Sequence, residues 1–305
     1  MTGHIRSHAV PAAAPERTAP EWAAPEQADP ALPAVSLRGA ALAYGDRVLW
    51  RDLDLDVRPG EFLAVLGPNG SGKTSLLRVL LGRRQLTAGR VAVLGMPPRS
   101  GSGHIGYVPQ HKALTAPTPL RARDLVRLGL DGHRWGLPRR TAAARQRVEE
   151  LLAMVGAGPY ADVPLGLLSG GELQSIRIAQ ALAPDPQLLL CDEPLLSLDP
   201  HHQRTVTALV DARRRSAGTA VVFVTHEINP VLGLADRVLY LAPGGHRVGA
   251  TEEVMTSATL SRLYGTRVDV VRVRDRIVVV GAPDDGPGHS HERGDMTAPN
   301  GGPPP

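Results

Sequence analysis

The run Gly67-Pro68-Asn69-Gly70-Ser71-Gly72-Lys73-Thr74 fits the spacing G-x-x-x-x-G-K-[ST]. Glycines at 67, 70 and 72 leave backbone N–H groups free to converge on anionic oxygens. The positive end of the following helix points at them, and Lys73 adds a compact charge for terminal phosphates. The apolar run Phe62-Leu63-Ala64-Val65-Leu66 before the loop and Ser75-Leu76-Leu77-Arg78-Val79-Leu80-Leu81 after it supply the strand and helix that this chemistry requires. Of the 34 basic residues only Lys73 and Lys112 are lysine, and Lys73 stands where a flexible ammonium serves better than a planar guanidinium. The chemistry implied is capture of a nucleoside triphosphate.

Two further groups fit that chemistry. Leu188-Leu189-Leu190-Cys191-Asp192-Glu193 is an apolar strand ending in two adjacent carboxylates. Beside a phosphate loop, Asp192 is placed to hold Mg²⁺ with the Thr74 hydroxyl, and Glu193 to orient and deprotonate an attacking water. Taken alone, such a pair is a common helix N-cap. Leu168-Ser169-Gly170-Gly171-Glu172 opens a helix with Ser and Glu three apart, a capping box whose glycines leave N–H groups bare for a second anion.

The elements around these groups read as an α/β fold. Val35–Arg38, Ala40–Tyr44, Val48–Trp50 and Leu53–Val57 read as short strands about a Gly45-Asp46 turn, an antiparallel layer ahead of the nucleotide core. Strands follow at Arg90–Leu94 and His104–Val108. Val148, Leu151, Leu152 and Val155, and then Leu173, Ile176, Ala179 and Leu182, recur at helical spacing, so a helical insert of about residues 113–184 interrupts the β-rich parts. The continuous apolar runs 187–191 and 219–224 read as strands buried on both faces of a parallel sheet, with a helix of about 201–215 between them. Strand-like segments at 236–242, 245–249, 268–273 and 276–280 complete a domain of 34–282.

Composition bounds the rest. Residues 1–33 are rich in Ala, Pro and Glu and residues 283–305 in Gly, Pro, Asp and His, so both are expected to be disordered tails. No signal-peptide-like stretch and no apolar run of about 18 residues occurs, so no membrane span is expected. The single cysteine, Cys191, fits a reducing cytoplasm. A pI near 9.6 points toward nucleic acid, but a net charge of +4 with Arg-rich, Lys-poor usage fits a compositional bias of the genome, and 3% aromatic residues poorly supply a stacking platform for single strands. Arg213-Arg214-Arg215 reads as a solvated helix end. His201-His202 and His289-Ser290-His291 carry a common zinc ligand, but adjacent histidines on a helix diverge and a short tail cluster lacks a fixed geometry.

In this order the motifs resemble those of ATP-binding cassette (ABC) proteins over about residues 35–265. Leu168-Ser169-Gly170-Gly171-Glu172 is similar to the signature motif, and Leu196-Ser197-Leu198-Asp199-Pro200 to the D-loop. Tyr44 resembles the aromatic residue that stacks on adenine. Gln110, after Ile105-Gly106-Tyr107-Val108-Pro109, resembles the Q-loop glutamine that senses Mg²⁺ and links to the membrane subunit. His226, in Val224-Thr225-His226-Glu227, resembles the switch histidine that contacts the γ-phosphate. The segments Asn229–Leu232, Ala235–Ala242 and Thr259–Gly265 look like the ATPase subunits of zinc and manganese uptake systems. Ser175 departs from the basic residue that many relatives carry after Glu172-Leu173-Gln174.

The resemblance implies a P-loop NTPase (RecA-like) core with an antiparallel β subdomain and a helical insert, using ATP and Mg²⁺. Gly67 through Ser75, Tyr44, Gln110, Ser169, Gly170, Gly171 and Asp199 would contact nucleotide; Thr74, Gln110 and Asp192 would serve the metal; Glu193 and His226 would be catalytic. One phosphate loop and one signature per chain imply two copies joined head to tail on ATP binding. The implied protein is the ATPase subunit of an importer of divalent metal ions at the cytoplasmic face of the membrane. Its partners would be integral-membrane permease subunits and, indirectly, an extracytoplasmic metal-binding protein, with no nucleic acid. The competing readings are an importer of another solute, a soluble ABC ATPase acting on nucleic acid or ribosomes, and a noncatalytic nucleotide binder, the last disfavoured by the presence of Glu193 and His226.

Overall fold

The computed structural model describes residues 32–110, 120–132 and 141–281. Apart from Leu32 and Pro33, the expected tails lie outside these residues, as do Lys112, His289 and His291. The chain runs β1 (Val35–Tyr44), β2 (Arg47–Val57), β3 (Phe62–Leu66), α1 (Lys73–Leu80), β4 (Ala88–Val93), β5 (Ile105–Val108), α2 (Ala122–Asp131), α3 (Ala142–Met154) and α4 (Gly170–Leu182). It continues with β6 (Leu188–Asp192), α5 (Pro200–Ala217), β7 (Ala220–Val224), β8 (Arg237–Ala242), β9 (Gly245–Gly249), α6 (Thr251–Val254), α7 (Ser257–Tyr264), β10 (Asp269–Val273) and β11 (Arg276–Val280).

Two layers carry the site. An antiparallel sheet of order β2-β1-β4 lies beside a six-stranded sheet of order β5-β6-β7-β3-β8-β9, in which only β9 runs antiparallel to its neighbour. The four expected short strands at the start are two long ones. The register of β1 against β2 slips between Leu37 and Ala40, where Gly39 takes a left-handed φ of 52°, so a bulge absorbs the residues that break the alternation. Gly45 and Asp46 make the expected turn.

The parallel strands are buried on both faces, as their continuous apolar runs require. Leu63, Val65, Leu190, Val222, Val224 and Leu239 pack with α1 and the antiparallel layer. Phe62, Ala64, Cys191, Phe223 and Val238 pack on the opposite, helical side. Cys191 is fully buried there, and burial pushes its thiol pKa far up, so it is an inert core group. The insert's apolar stripes hold: Val148, Leu151 and Leu152 of α3 and Leu173, Ile176, Ala179 and Leu182 of α4 are buried. Ser175 is buried with them.

The arginine run at the end of α5 is not a solvated end. Arg213 donates to Thr219 Oγ1 at 3.0 Å and pairs with Asp185, while Arg214 bonds Asp211, Asp236 and the Gly60 carbonyl. Only Arg215 projects into solvent. The first two tie the helix to the loops at the lower edge of the parallel sheet because carbonyls and carboxylates exposed there need donors. Among the described residues no helix is long and apolar enough to cross a membrane.

Candidate functional site

The loop 67–72 leaves the carboxyl end of β3 and enters α1, the central position of the parallel sheet. Gly67 has φ 141°, and a Cβ there would run into the Leu241 carbonyl oxygen. Gly72, at φ 98°, caps α1 without any side-chain bond, and no acidic residue occupies the first turn, so the positive helix end faces outward. Lys73 is buried and folds back, donating from Nζ to the carbonyls of Gly67 at 2.7 Å and Pro68 at 3.0 Å. Burial lowers its pKa, while Glu193 and Asp192 act in the opposite direction.

The ends of neighbouring strands converge on this loop. Thr74 donates from Oγ1 to Asp192 Oδ1 at 3.0 Å, and Tyr107 on β5 donates to Asp192 Oδ2 at 3.4 Å. Asp192 is 3% exposed, and desolvation raises its pKa against the opposing effect of the Thr74 bond. Glu193 takes a left-handed φ of 47° and donates its N–H to the Val224 carbonyl at 3.0 Å. That conformation ends β6 and turns the carboxylate toward the loop, at the cost of local backbone strain. Gln110 donates from Nε2 to Glu193 Oε2 at 3.3 Å, and His226 Nδ1 stands 4.0 Å from the same oxygen, beyond hydrogen-bond reach.

Asp192 and Glu193 are therefore not a helix cap. That duty falls to Asp199, whose Oδ1 accepts from the N–H groups of His201 and His202 at 2.8 and 3.1 Å. Its other oxygen meets His202 Nδ1 at 2.5 Å, and this contact leads the causes that hold the carboxyl pKa down at about 2. The His201 and His202 rings lie edge to face, 5.7 Å apart. Among the described residues no group of three or more His, Cys, Asp or Glu side chains is placed to hold a metal ion. A Mg²⁺ site needs no such cluster, because one or two carboxylates, a hydroxyl and phosphate oxygens suffice.

Two cavities adjoin the loop. One of about 410 Å³ is lined by Tyr44, Arg47, Lys73, Thr74, Arg78 and Glu193, among others. The other, about 570 Å³, shares Asn69, Gln110 and Glu193 with it and extends past His226 to Tyr264 and Ile277. Tyr44 stands at the mouth of the first. Its hydroxyl shares a 3.3 Å hydrogen bond with Ser75 Oγ, and the Arg84 guanidinium carbon lies 4.2 Å from its ring centroid. The Tyr44 pKa is lowered, first by the Ser75 bond.

The structure thus brings together Tyr44, the loop 67–75, Gln110, Asp192, Glu193 and His226. Ser169, Gly170, Gly171 and Asp199 line neither cavity. Ser169 forms the expected box with Glu172, with bonds of 2.8 and 3.3 Å, and Gly171 abuts the His202 ring so closely that a Cβ would collide with it. Tyr107, Arg47, Arg78 and Arg84 were not expected at the site. Arg47 and Tyr107 arrive from β2 and β5, whereas Arg78 lies one turn along α1 from Thr74 and Arg84 just beyond that helix.

A family model described as ABC transporter matches residues 50–196. The chain is 35% identical over 237 residues to the zinc import ATP-binding protein ZnuC of Halorhodospira halophila, covering 77% of this chain and 85% of that protein. It is 38% identical over 247 residues to the phosphonates import ATP-binding protein PhnC of Anaeromyxobacter dehalogenans, covering 77% of this chain and 49% of that one. Among solved structures it is similar to a dimeric ATP-binding cassette in a post-hydrolysis state bound to ADP and Pi, with TM-score 0.62 and 27% identity over 71% of this chain and 98% of that chain.

Proposed function

The chain belongs to the ATP-binding subunits of ABC transporters, enzymes that hydrolyse ATP, and from that premise we propose that it energises uptake of a divalent metal ion, zinc before manganese. The convergence of Lys73, Thr74, Asp192, Glu193 and His226 on one phosphate loop carries the catalytic part of this reading. The similarity to zinc import subunits over most of both chains supports the cargo; phosphonate and polyamines are competing solutes.

In this reading the loop N–H groups and Lys73 take the phosphates, exchanging the Gly67 and Pro68 carbonyls for phosphate oxygens. Tyr44 carries the adenine on its free face. Thr74, Asp192 and Gln110 would hold Mg²⁺, whose chemistry is to neutralise charge on the β- and γ-oxygens. The oxygen donors fit a hard cation: the Thr74 hydroxyl and the Asp192 carboxylate already lie 3.0 Å apart. Glu193 accepts the proton of the attacking water, and His226 donates to the γ-phosphate. The position of Ser169, Gly170 and Gly171 outside both cavities supports a site completed by a second copy. Membership of a transporter family supports coupling to permease subunits at the cytoplasmic face of a membrane, with an extracytoplasmic capture protein acting through them.

The experiment is ATPase activity of the complex reconstituted with its permease and capture protein across zinc, manganese and phosphonate. Stimulation by zinc-loaded capture protein is expected. Stimulation by phosphonate alone would reassign the cargo, and ATP binding with no turnover under any condition would make the subunit regulatory.

A further inference from the structure

The residues after His226 make an attachment that the phosphate chemistry does not use. Thr225 holds the turn around His226: its hydroxyl donates to the Glu227 carbonyl at 3.0 Å and accepts from the Glu227 N–H at 3.2 Å. The chain then sinks into the core at Ile228 and Val231. Between these two, Asn229 turns its amide onto the backbone of Ile277 in β11. Nδ2 donates to the Ile277 carbonyl at 2.9 Å, and Oδ1 accepts from the Ile277 N–H at 2.8 Å. A side-chain amide presents one donor and one acceptor at the spacing of a peptide edge, so this pair replaces a strand neighbour for β11.

The replacement matters because, among the described residues, β10 and β11 form a two-stranded sheet joined to no other strand. An isolated hairpin is marginal in water. Its N-terminal side is held by serines of α7: Ser257 Oγ accepts from the Val270 N–H at 2.8 Å, and Ser261 Oγ accepts from the Val268 N–H at 2.9 Å. Its C-terminal side is held by Asn229. The hairpin in turn closes the larger cavity, where Ile277 and Val279 form one wall and Glu193 and His226 another. Displacing β11 therefore alters both the anchor of the histidine loop and the space into which the imidazole faces.

We infer that Asn229 is a positioning residue for hydrolysis, tying the His226 loop to the C-terminal hairpin so that the hairpin holds the imidazole in register with the γ-phosphate. This rests on the reading of His226 given above. Asn229 borders the larger cavity, but both polar groups of its amide are taken up by Ile277. The prediction is a loss in turnover rather than in ATP binding, because the phosphate loop and Tyr44 are untouched.

The test uses the full chain and compares wild type, Asn229→Ala, the pair Ser257→Ala/Ser261→Ala, and all three changes together. ATP turnover is measured beside hydrogen exchange at the Ile277 amide. Asn229→Ala should deprotect that amide and lower kcat about tenfold with KM for ATP within about twofold. The serine pair should lower kcat by itself and add little on top of Asn229→Ala, since both release the same hairpin. If Asn229→Ala does not fold, Asn229→Leu, which removes both bonds at similar volume, is read in the same way. Unchanged kcat with a deprotected Ile277 amide overturns the proposal, as does a serine pair that leaves kcat unchanged or adds fully to Asn229→Ala. A parallel His226→Ala variant separates the two readings: wild-type turnover there removes the role of His226, whatever Asn229 does.

Discussion

Thr74 Oγ1 donates a 3.0 Å hydrogen bond to Asp192 Oδ1 across 118 residues of chain, joining the first turn of α1 to the end of β6. The acceptor is a buried carboxylate that also accepts from the Tyr107 hydroxyl, and its pKa is raised first by desolvation. A group whose pKa is raised on folding favours the folded state below its unfolded pKa and loses that contribution as pH rises through the folded value. Above the unfolded carboxylate range, the burial of Asp192 therefore costs stability.

Asp192→Asn should accordingly raise the melting temperature of nucleotide-free protein at neutral pH, with the gain shrinking as pH falls toward about 4, the unfolded carboxylate range. Asparagine keeps an acceptor for Thr74. Turnover should nevertheless fall by about a hundredfold or more, because the proposed Mg²⁺ site would lose its carboxylate. Melting curves from pH 4 to 8 and steady-state ATPase assays read both effects; a variant less stable at pH 8 than wild type contradicts the burial argument.

Glu193→Gln should leave ATP binding intact and lower turnover by about a hundredfold, the scale for loss of a general base. The substituted amide can still accept from Gln110 through Oε1, so the local geometry survives and the loss is chemical. An ATP-bound dimer should accumulate and be visible by size-exclusion chromatography. Turnover at the wild-type rate would assign the base elsewhere.

Tyr44→Ala should weaken ATP binding by about 0.5–1.5 kcal/mol beyond the burial lost, whereas Tyr44→Phe keeps the ring and should be nearly neutral. The structure adds Arg84, which covers one ring face and also donates to the Ala43 carbonyl at 3.2 Å. Arg84→Ala should weaken binding in wild type but not in the Tyr44→Ala background. Titration with a fluorescent ATP analogue measures the four corners of the cycle, and equal losses in both backgrounds would disconnect Arg84 from the base.

Ser169→Arg should abolish hydrolysis while leaving ATP affinity of the isolated subunit nearly unchanged, since Ser169 lines neither cavity of its own chain. A mixed dimer of Ser169→Arg and Lys73→Ala subunits should regain turnover, because one of its two shared sites is intact. Hydrolysis by wild-type protein that stays monomeric throughout turnover, measured by light scattering under assay conditions, would remove the shared site.

Much of the site was legible along the chain because its parts are local. A glycine turn between an apolar strand and a helix, an apolar strand ending in two carboxylates, and Ser169 and Glu172 three residues apart each state their geometry within a dozen residues. The apolar runs 187–191 and 219–224 announced strands covered on both faces, and β6 and β7 are buried throughout. The same local reading split β1 and β2 into pieces, since a bulge interrupts alternation without ending the pairing. It also gave Arg213 and Arg214 to solvent, because a charge run carries no record of the carbonyls and carboxylates that other segments bring to it.

What the tertiary structure alone decided is which distant segments meet. The strand order β5-β6-β7-β3-β8-β9 sets Tyr107 against Asp192 and His226 near Glu193, and it places Asn229 on Ile277, 48 residues further along the chain. Those meetings depend on which strand lies beside which and in what register. Backbone hydrogen bonding and burial of both sheet faces determine that order over the whole fold at once, so no spacing within one segment encodes it.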